Sequence, residues 1–413
     1  MSRVYNRIHS YITSKFVSDG LRKIGIEEES IVYTFENKRI PVNPGNEFSA
    51  VDLLRVLNKK IDSNGYYSLE PGGQIEWSSK PFSNLNDLQE SMNNHHLVFE
   101  ETISEHNLKM VPYGVDPKYS PDDIELIEEP KYQIMDKVFG ENGTKGSWMM
   151  KNTASIQVNI DIINSKDLEE MVYLADCLHP IAAYLFANSP FSNNKKTGYQ
   201  NIRNIIWEET DSFRCRNLFD HGIFKPKDLL QNYIEFTLKV PSMFEFDKNR
   251  NIVKSSTSIG DLLGKLEESE SINEDDIKVA LHQIFTNVRL KNVVEIRGAD
   301  RTPFNYEMAP IAFWTGILTD LNIRKDAIKV CSNWTKNDRK LFNDASLSLN
   351  SEQPGPEGKM YIDWIKWAGD LSVTGLKNRK LKEETLFEDF YNNIIQHGPF
   401  SIQKQNNETG LDT

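Results

Sequence analysis

The sequence predicts an α+β protein, with a mainly antiparallel β-sheet that carries the functional residues and helices packed around it. Helical and strand signals alternate, but without the even strand-helix rhythm of a doubly wound parallel sheet. The stretch YYSLEPGGQIEWSSKP, residues 66–81, reads as a hairpin: two short strand-like runs around a Pro-Gly-Gly turn. The unusual residues also fall on strand-like runs, where carboxylates, carboxamides and an arginine stand at positions that strands commonly fill with Val or Leu.

In chain order, LRKIGIEEE (21–29) is the first strand candidate, and SAVDLLRVLNKKI (49–61) is a helix with a Ser cap and Val51, Leu54 and Leu57 on one face. YYSLE and GQIEWS form the hairpin, and TASIQVNIDI (153–162) is a further strand. SKDLEEMVYLADCLHPIAAYLFANSPF (165–191) reads as one long apolar helix that Pro180 should kink. PKDLLQNYIEFTL (226–238) and EDDIKVALHQIF (274–285) are helices, NVVEIRGAD (292–300) is a strand, and MAPIAFWTGILTDL (308–321) and MYIDWIKWAGDLS (360–372) are helices again. ESESINEDD and NSEQPGPEG are expected as exposed loops. Motif-bearing strands lie on both sides of the first, which favours one domain over 1–413. It has a motif-bearing core at about 20–320, a helical part at about 321–400 and a frayed polar tail at 401–413.

Bulk properties exclude several classes. The net charge of -12, with no compensating Lys/Arg block, argues against binding nucleic acid by phosphate neutralisation. No apolar run approaches the ~20 residues of a membrane span, and MSRVYNRIHSYITSKF lacks a secretory h-region, so a cytoplasmic protein is expected. The three cysteines, Cys177, Cys215 and Cys331, are widely spaced and form no CxxC pair, which fits a reducing compartment. Cys177 reads as a packing residue on an apolar helix face. His95 and His96, adjacent in a polar helix, are expected at the surface.

Strand alternation puts Glu27 and Glu29 on one face with Glu28 on the other, and pairs Gln74 with Glu76, Gln157 with Asn159 and Glu295 with Arg297. If these faces converge, Glu27, Glu29, Glu70, Glu76 and Glu295 crowd one cleft, and crowded carboxylates cannot all stay ionised unaided. A hard divalent cation such as Mg²⁺, which also bridges carboxylates to phosphates, would neutralise them. Arg297 would then face a transferring phosphoryl group. Taken singly, each motif has a plainer reading: PGG is a turn and EEE a solvated run.

Together, KIGIEEE, SLEPGGQIEWSSKP, MMKNTASIQVNID, LHPIAAYLFANSPF, NIRNIIWEETD and VRLKNVVEIRGAD resemble, in order and spacing, the plant and proteobacterial type of glutamate-cysteine ligase over about 23–313. The resemblance implies a glutamine-synthetase-like fold. It also implies an ATP-dependent reaction in which the glutamate γ-carboxylate is phosphorylated and the cysteine amino group displaces phosphate, giving γ-glutamylcysteine. Carried over residue by residue, it implies Glu27, Glu29, Glu70, Glu76 and Glu295 as Mg²⁺ ligands and Arg297, with Glu76, at the phosphoryl transfer. It further implies Arg203 and Lys131 at glutamate, and Gln74 and Gln157 on the polar ATP face. Tyr132 and Asn152 would line the acceptor pocket.

The chain departs from the family pattern at Lys131 and Asn152, where relatives carry Arg, and at Ile26 and Glu28, which replace Thr and His. A Lys cannot reproduce the two-pronged contact of an Arg. These departures leave open a sister ligase with another amine acceptor, and, from a different class, a non-catalytic glutamate- or nucleotide-binding relative. The expected partners are small molecules (glutamate, cysteine, ATP), with no nucleic acid and no membrane, in a monomer or homodimer.

Overall fold

The computed structural model describes residues 3–61, 65–247, 249, 251–350 and 352–407. Strands β1 (Ile24–Thr34), β2 (Gly65–Leu69), β3 (Ile75–Ser79), β4 (Leu108–Val111) and β5 (Ser155–Ile160) come from the first half of the chain. Two small hairpins follow, β6 (Phe191–Ser192) with β7 (Lys195–Lys196), and β8 (Phe244–Phe246) with β9 (Ile252–Lys254), before β10 (Val288–Leu290) and β11 (Val294–Asp300). The main sheet has the order β10-β11-β5-β1-β3-β2, with β4 paired to the far half of β1, and every strand pair in it is antiparallel. The predicted fold class is therefore the observed one.

The sheet has two chemically different faces, as a period of two dictates. Ile24, Ile26, Ile75, Trp77, Ile156, Val158, Ile160, Val294 and Ile296 are buried on the back. There they join a hydrophobic core that runs from Val4 to Ile394 and includes helices Ser165–Leu185 and Met308–Thr319. Fully burying one such aliphatic side chain is worth about 1.5–3 kcal/mol, so this face holds the register that aims the opposite one.

Local signals set most helix boundaries. Ser49 and Asp52 form a reciprocal capping box at the start of Ala50–Lys60. That helix buries Leu53 and Leu57, whereas Val51 and Leu54 stay only partly covered, so its core face is turned by one position from the expected stripe. The long helix keeps hydrogen-bonded geometry through Pro180 and ends at Leu185, so ANSPF lies outside it. The loss of helix there is physical: Asn188 turns its Nδ2 to the carbonyls of Pro112 and Arg301, fixing the chain in a loop.

Two other expectations are corrected. Of the tail, 401–407 belongs to a helix, Phe400–Asn407, whose Ser401 and Gln405 are buried, and 408–413 lie outside the described residues. His95 is buried and His96 half-buried, because both turn from helix Leu85–Glu105 towards the fully buried Glu28. Glu28 is the one glutamate of the EEE run that points into the apolar side, and it needs partners there. Burial alone would raise its pKa, but Arg301 and His96 outweigh it and hold the carboxyl well below its ordinary range. Cys177 is buried, as a packing residue should be, and Cys215 and Cys331 are buried too.

Candidate active site

On the front face, register places the polar side chains in rows. Glu29 lies directly across from Glu76, Glu27 from Gln157, and Glu295 sits between Asn159 and Arg289. Diagonal hydrogen bonds tie the rows together: Gln157 Nε2 donates to Glu29 at 2.8 Å, and Asn159 Nδ2 donates to Glu27 at 3.1 Å. This face floors a cleft of about 290 Å³ that is also lined by Glu70, Gln74, Lys131, Tyr132 and Arg297.

Glu70 reaches the cleft because the chain reverses at Pro71-Gly72-Gly73, where Gly73 N donates to Glu70 O at 2.9 Å. Gly73 takes a φ of +79°, and a Cβ on Gly72 would overlap the backbone of Lys151, so both glycines are required for the turn to lie flat against the neighbouring helix. The result is a trio: one carboxylate oxygen each from Glu29, Glu70 and Glu76 lies within 4.8 Å of the others. Burial, then mutual repulsion with Glu29 and Glu27, pushes Glu70 up to about 7. Burial and the neighbouring carboxylates likewise drive Glu76 well above its ordinary range, despite hydroxyl donors on Ser68 and Ser78. Glu29 is raised by burial more than Arg203 and Arg297 lower it. Three oxygen donors short of positive charge suit a hard cation such as Mg²⁺. Glu27 lines the same cleft but stands outside the trio.

Glu295 does not join them. It is fully buried, hydrogen-bonded by Arg289 through both prongs, by Lys291 at 2.6 Å and by Arg297 at 3.4 Å. Burial would raise its pKa, yet Arg289, Lys291 and Arg297 hold the carboxyl well below its ordinary range. Its charge therefore organises cations, of which Arg289 and Arg297 line the cleft. Arg297 Nη1 also donates to Gln157 Oε1 at 2.6 Å, and its guanidinium lies 5.4 Å from the Trp207 ring. A bulge between Ile296 and Ala299 aims this side chain. Gly298 within it lets the strand approach helix Ser165–Leu185, since a Cβ there would overlap the His179 ring.

The remaining predicted residues divide. Lys131 and Tyr132 line the cleft, with Lys131 Nζ 4.4 Å from the Tyr132 ring. Gln74 lines it too, its Nε2 donating to Thr153 O at 2.8 Å while its buried Oε1 lacks a partner. Arg203 is buried and is not among the cleft-lining residues; its Nη2 donates to Arg297 O at 3.3 Å and its charge lies close enough to lower Glu29. Asn152 is misplaced as an acceptor contact: it is fully buried at the end of helix Gly146–Asn152, with Nδ2 on Tyr119 O at 2.7 Å. Helix periodicity turned it inward, away from the cleft that its neighbours Met149 and Met150 line.

Comparison with known proteins decides the family. The model of "Glutamate-cysteine ligase family 2(GCS2)" matches residues 23–364. The chain belongs to glutamate-cysteine ligase family 2. The chloroplastic glutamate-cysteine ligase of Nicotiana tabacum is 31% identical over 416 residues, covering 96% of this chain and 78% of that protein. Ligase A of Oryza sativa subsp. indica is 32% identical over 320 residues, covering 76% of this chain and 64% of that one, and the Arabidopsis thaliana enzyme is 32% identical with 60% of its length covered. The matched part thus spans somewhat under two thirds of several of these relatives. The crystal structure of a Francisella tularensis glutamate-cysteine ligase, solved with AMP, superimposes with a TM-score of 0.58 over 92% of this chain and 83% of that one at 10% identity, which establishes a shared fold.

Among the cleft residues that sequence reasoning missed, Arg289 and His282 are titratable. Arg289 occupies the alternate position of the apolar strand VRL, and its register opposite Glu295 was the available signal. His282 also lines the cleft and is pushed down to about 3 by burial and by Arg289 and Lys291. Nothing in its helical context distinguished it.

Proposed function

We propose that this protein joins the γ-carboxylate of glutamate to the amino group of cysteine, driven by ATP, giving γ-glutamylcysteine, ADP and phosphate. The observation that carries this reading is the convergence of the Glu29, Glu70 and Glu76 carboxylates and the Arg297 guanidinium on one cleft, which brings together a cation-holding trio and an anion-stabilising group. Family membership supports it.

Glu29, Glu70 and Glu76 would hold Mg²⁺, with Glu27 beside them; the ion supplies positive charge between these carboxylates and the phosphates. Arg297, kept in place by Gln157 and Glu295, stabilises the charge on the γ-phosphoryl group as a glutamate oxygen attacks phosphorus and ADP leaves. Lys131, the lysine lining the cleft, is the cation available to the glutamate α-carboxylate. The cysteine nitrogen, having lost a proton, then attacks the acyl carbon and phosphate departs. Tyr132 forms a wall for that acceptor, and Met135, Met149 and Phe285 keep the rim apolar, which limits hydrolysis of the acyl phosphate.

Three free thiols support a reducing compartment, the cytoplasm, although the plant relatives are named chloroplastic. No helix among the described residues is long and apolar enough to cross a membrane. The test is phosphate release from Mg²⁺-ATP and glutamate, with and without cysteine, 2-aminobutyrate and a panel of amines, with products identified by mass. Stimulation by cysteine with γ-glutamylcysteine formed is expected. Stimulation only by another amine would make the protein a sister ligase, and no release with any amine would leave a binding role.

A further inference from the structure

The back of the catalytic strand carries a second group of donors that the reaction does not use. Glu28, His95 and His96 each place one donor atom within 4.8 Å of the others. His96 Nε2 is 3.1 Å from both oxygens of Glu28. His95 Nε2 is buried, has no hydrogen-bond partner, and stops 3.9 Å from Glu28 Oε1, too far for a hydrogen bond. Its ring is nevertheless fixed: Nδ1 is 2.8 Å from Tyr67 OH, and the imidazole stacks on Trp77 with centroids 4.3 Å apart and planes at 3°.

We propose that Glu28, His95 and His96 form a binding site for a borderline divalent ion of the Zn²⁺ class, separate from the carboxylate trio on the opposite face. Two imidazoles and one carboxylate are a donor set that Zn²⁺ accepts and Mg²⁺ disfavours. Bonds of about 2.0–2.1 Å in a tetrahedron require donors ~3.4 Å apart; His96 Nε2 stands 3.1 Å from Glu28 Oε2, and the three donor atoms lie within 4.8 Å of one another. The outer contacts are also those of a ligand shell: Tyr67 OH fixes the His95 ring through its other nitrogen, and Arg301 Nη2 holds Glu28 Oε1 at 3.0 Å, leaving Oε2 to the ion.

The Arg301 charge weakens the site without removing it, because Glu307 shares that guanidinium at 3.1 Å. A polar cavity of about 430 Å³, lined by Gln89, Asn93, His96, Glu307 and Asp389, provides the route in and room for a water ligand. The ion would clamp helix Leu85–Glu105 to the strand that carries Glu27 and Glu29 on its other side.

The test uses the whole chain, stripped with a chelator and held in millimolar Mg²⁺ so that the carboxylate trio is filled. Dialysis against Zn²⁺ in the same millimolar Mg²⁺, with elemental analysis, should show one Zn²⁺ per chain. Co²⁺ should give the intense visible bands of a four- or five-coordinate, imidazole-bound ion rather than the faint band of an all-oxygen octahedron. His96→Ala, at a half-buried position, should weaken binding at least 100-fold and abolish those bands, and His96→Gln gives a second, conservative variant. Failure of the wild-type chain to retain Zn²⁺, or the same Co²⁺ spectrum in both variants, would overturn the proposal and leave a plain ion-pair network with Arg301 and Glu307.

Discussion

Replacing Glu70 with Gln should stabilise the metal-free protein, by an amount that grows as pH rises from about 4.5 to about 7 and then levels off. Two ionised carboxylates with oxygens within 4.8 Å of each other repel by at least about 3.5 kcal/mol at an effective dielectric of 20. Linkage leads to a similar figure: a carboxyl raised from 4.5 to about 7 on folding carries a penalty of about 3 kcal/mol once fully ionised. Solvent reaching this partly covered side chain reduces that to about 2 kcal/mol. The sign follows from the raised pKa. Below 4.5 the group is protonated in both states and carries no penalty, and stability is lost as pH rises through about 7. Glu70→Gln removes the titration, so its advantage over wild type should be about 0.5 kcal/mol at pH 5, grow up to about pH 7, and level off at about 2 kcal/mol by pH 8. In a chain of 413 residues this is a rise in Tm of ~2 °C. The assay is thermal unfolding in chelator from pH 5 to 8, repeated with millimolar Mg²⁺, which should raise the Tm of wild type more than that of the variant. Equal or lower Tm for the variant at pH 8, together with an unchanged Mg²⁺ response, would refute the electrostatic account of the trio.

Glu295→Gln should act in the opposite direction: it leaves Arg289, Lys291 and Arg297 without their shared partner, costing about 3–5 kcal/mol in urea unfolding, and a loss under 1 kcal/mol would contradict the buried network. Arg297→Lys retains the charge but not the planar fork, so kcat for phosphate release should fall ~10²–10³-fold with Tm little changed; near-normal turnover would remove Arg297 from the transfer step. Gly298→Ala puts a methyl group into the His179 ring, so stability should drop by about 1–3 kcal/mol and kcat should fall with it, as the bulge aiming Arg297 is displaced. A fully active, fully stable Gly298→Ala protein would show that the bulge is not needed.

Much of the site was legible because period two is a strong constraint. Once IGIEEE and SIQVNI are strands, apolar residues at alternate positions can satisfy a core only if Glu27, Glu29, Gln157 and Asn159 face the other way. The Pro-Gly-Gly turn was legible for the same kind of reason, since the chain must reverse there and only glycine tolerates the conformation at Gly73. Asn152 failed because a residue at a helix end can face a cleft or a core with the same local sequence. Glu295 failed because a carboxylate on the correct face can serve a metal or neighbouring cations. His95 and His96 failed because nothing near them in the chain announces Glu28, 67 and 68 residues earlier.

By itself, then, the sequence determined the secondary elements, the antiparallel class, the family and the polar face of each strand, all of which depend on local alternation and contiguous motifs. Only the tertiary structure decided which carboxylates meet. Glu29, Glu70 and Glu76 form the trio because β1 and β3 are neighbours and the turn brings Glu70 alongside, whereas β10 brings Arg289 against Glu295 and removes it from that company. A carboxylate's ionisation and ligand capacity depend on charges a few ångströms away, and those distances are set by strand order, which no local stretch of sequence encodes.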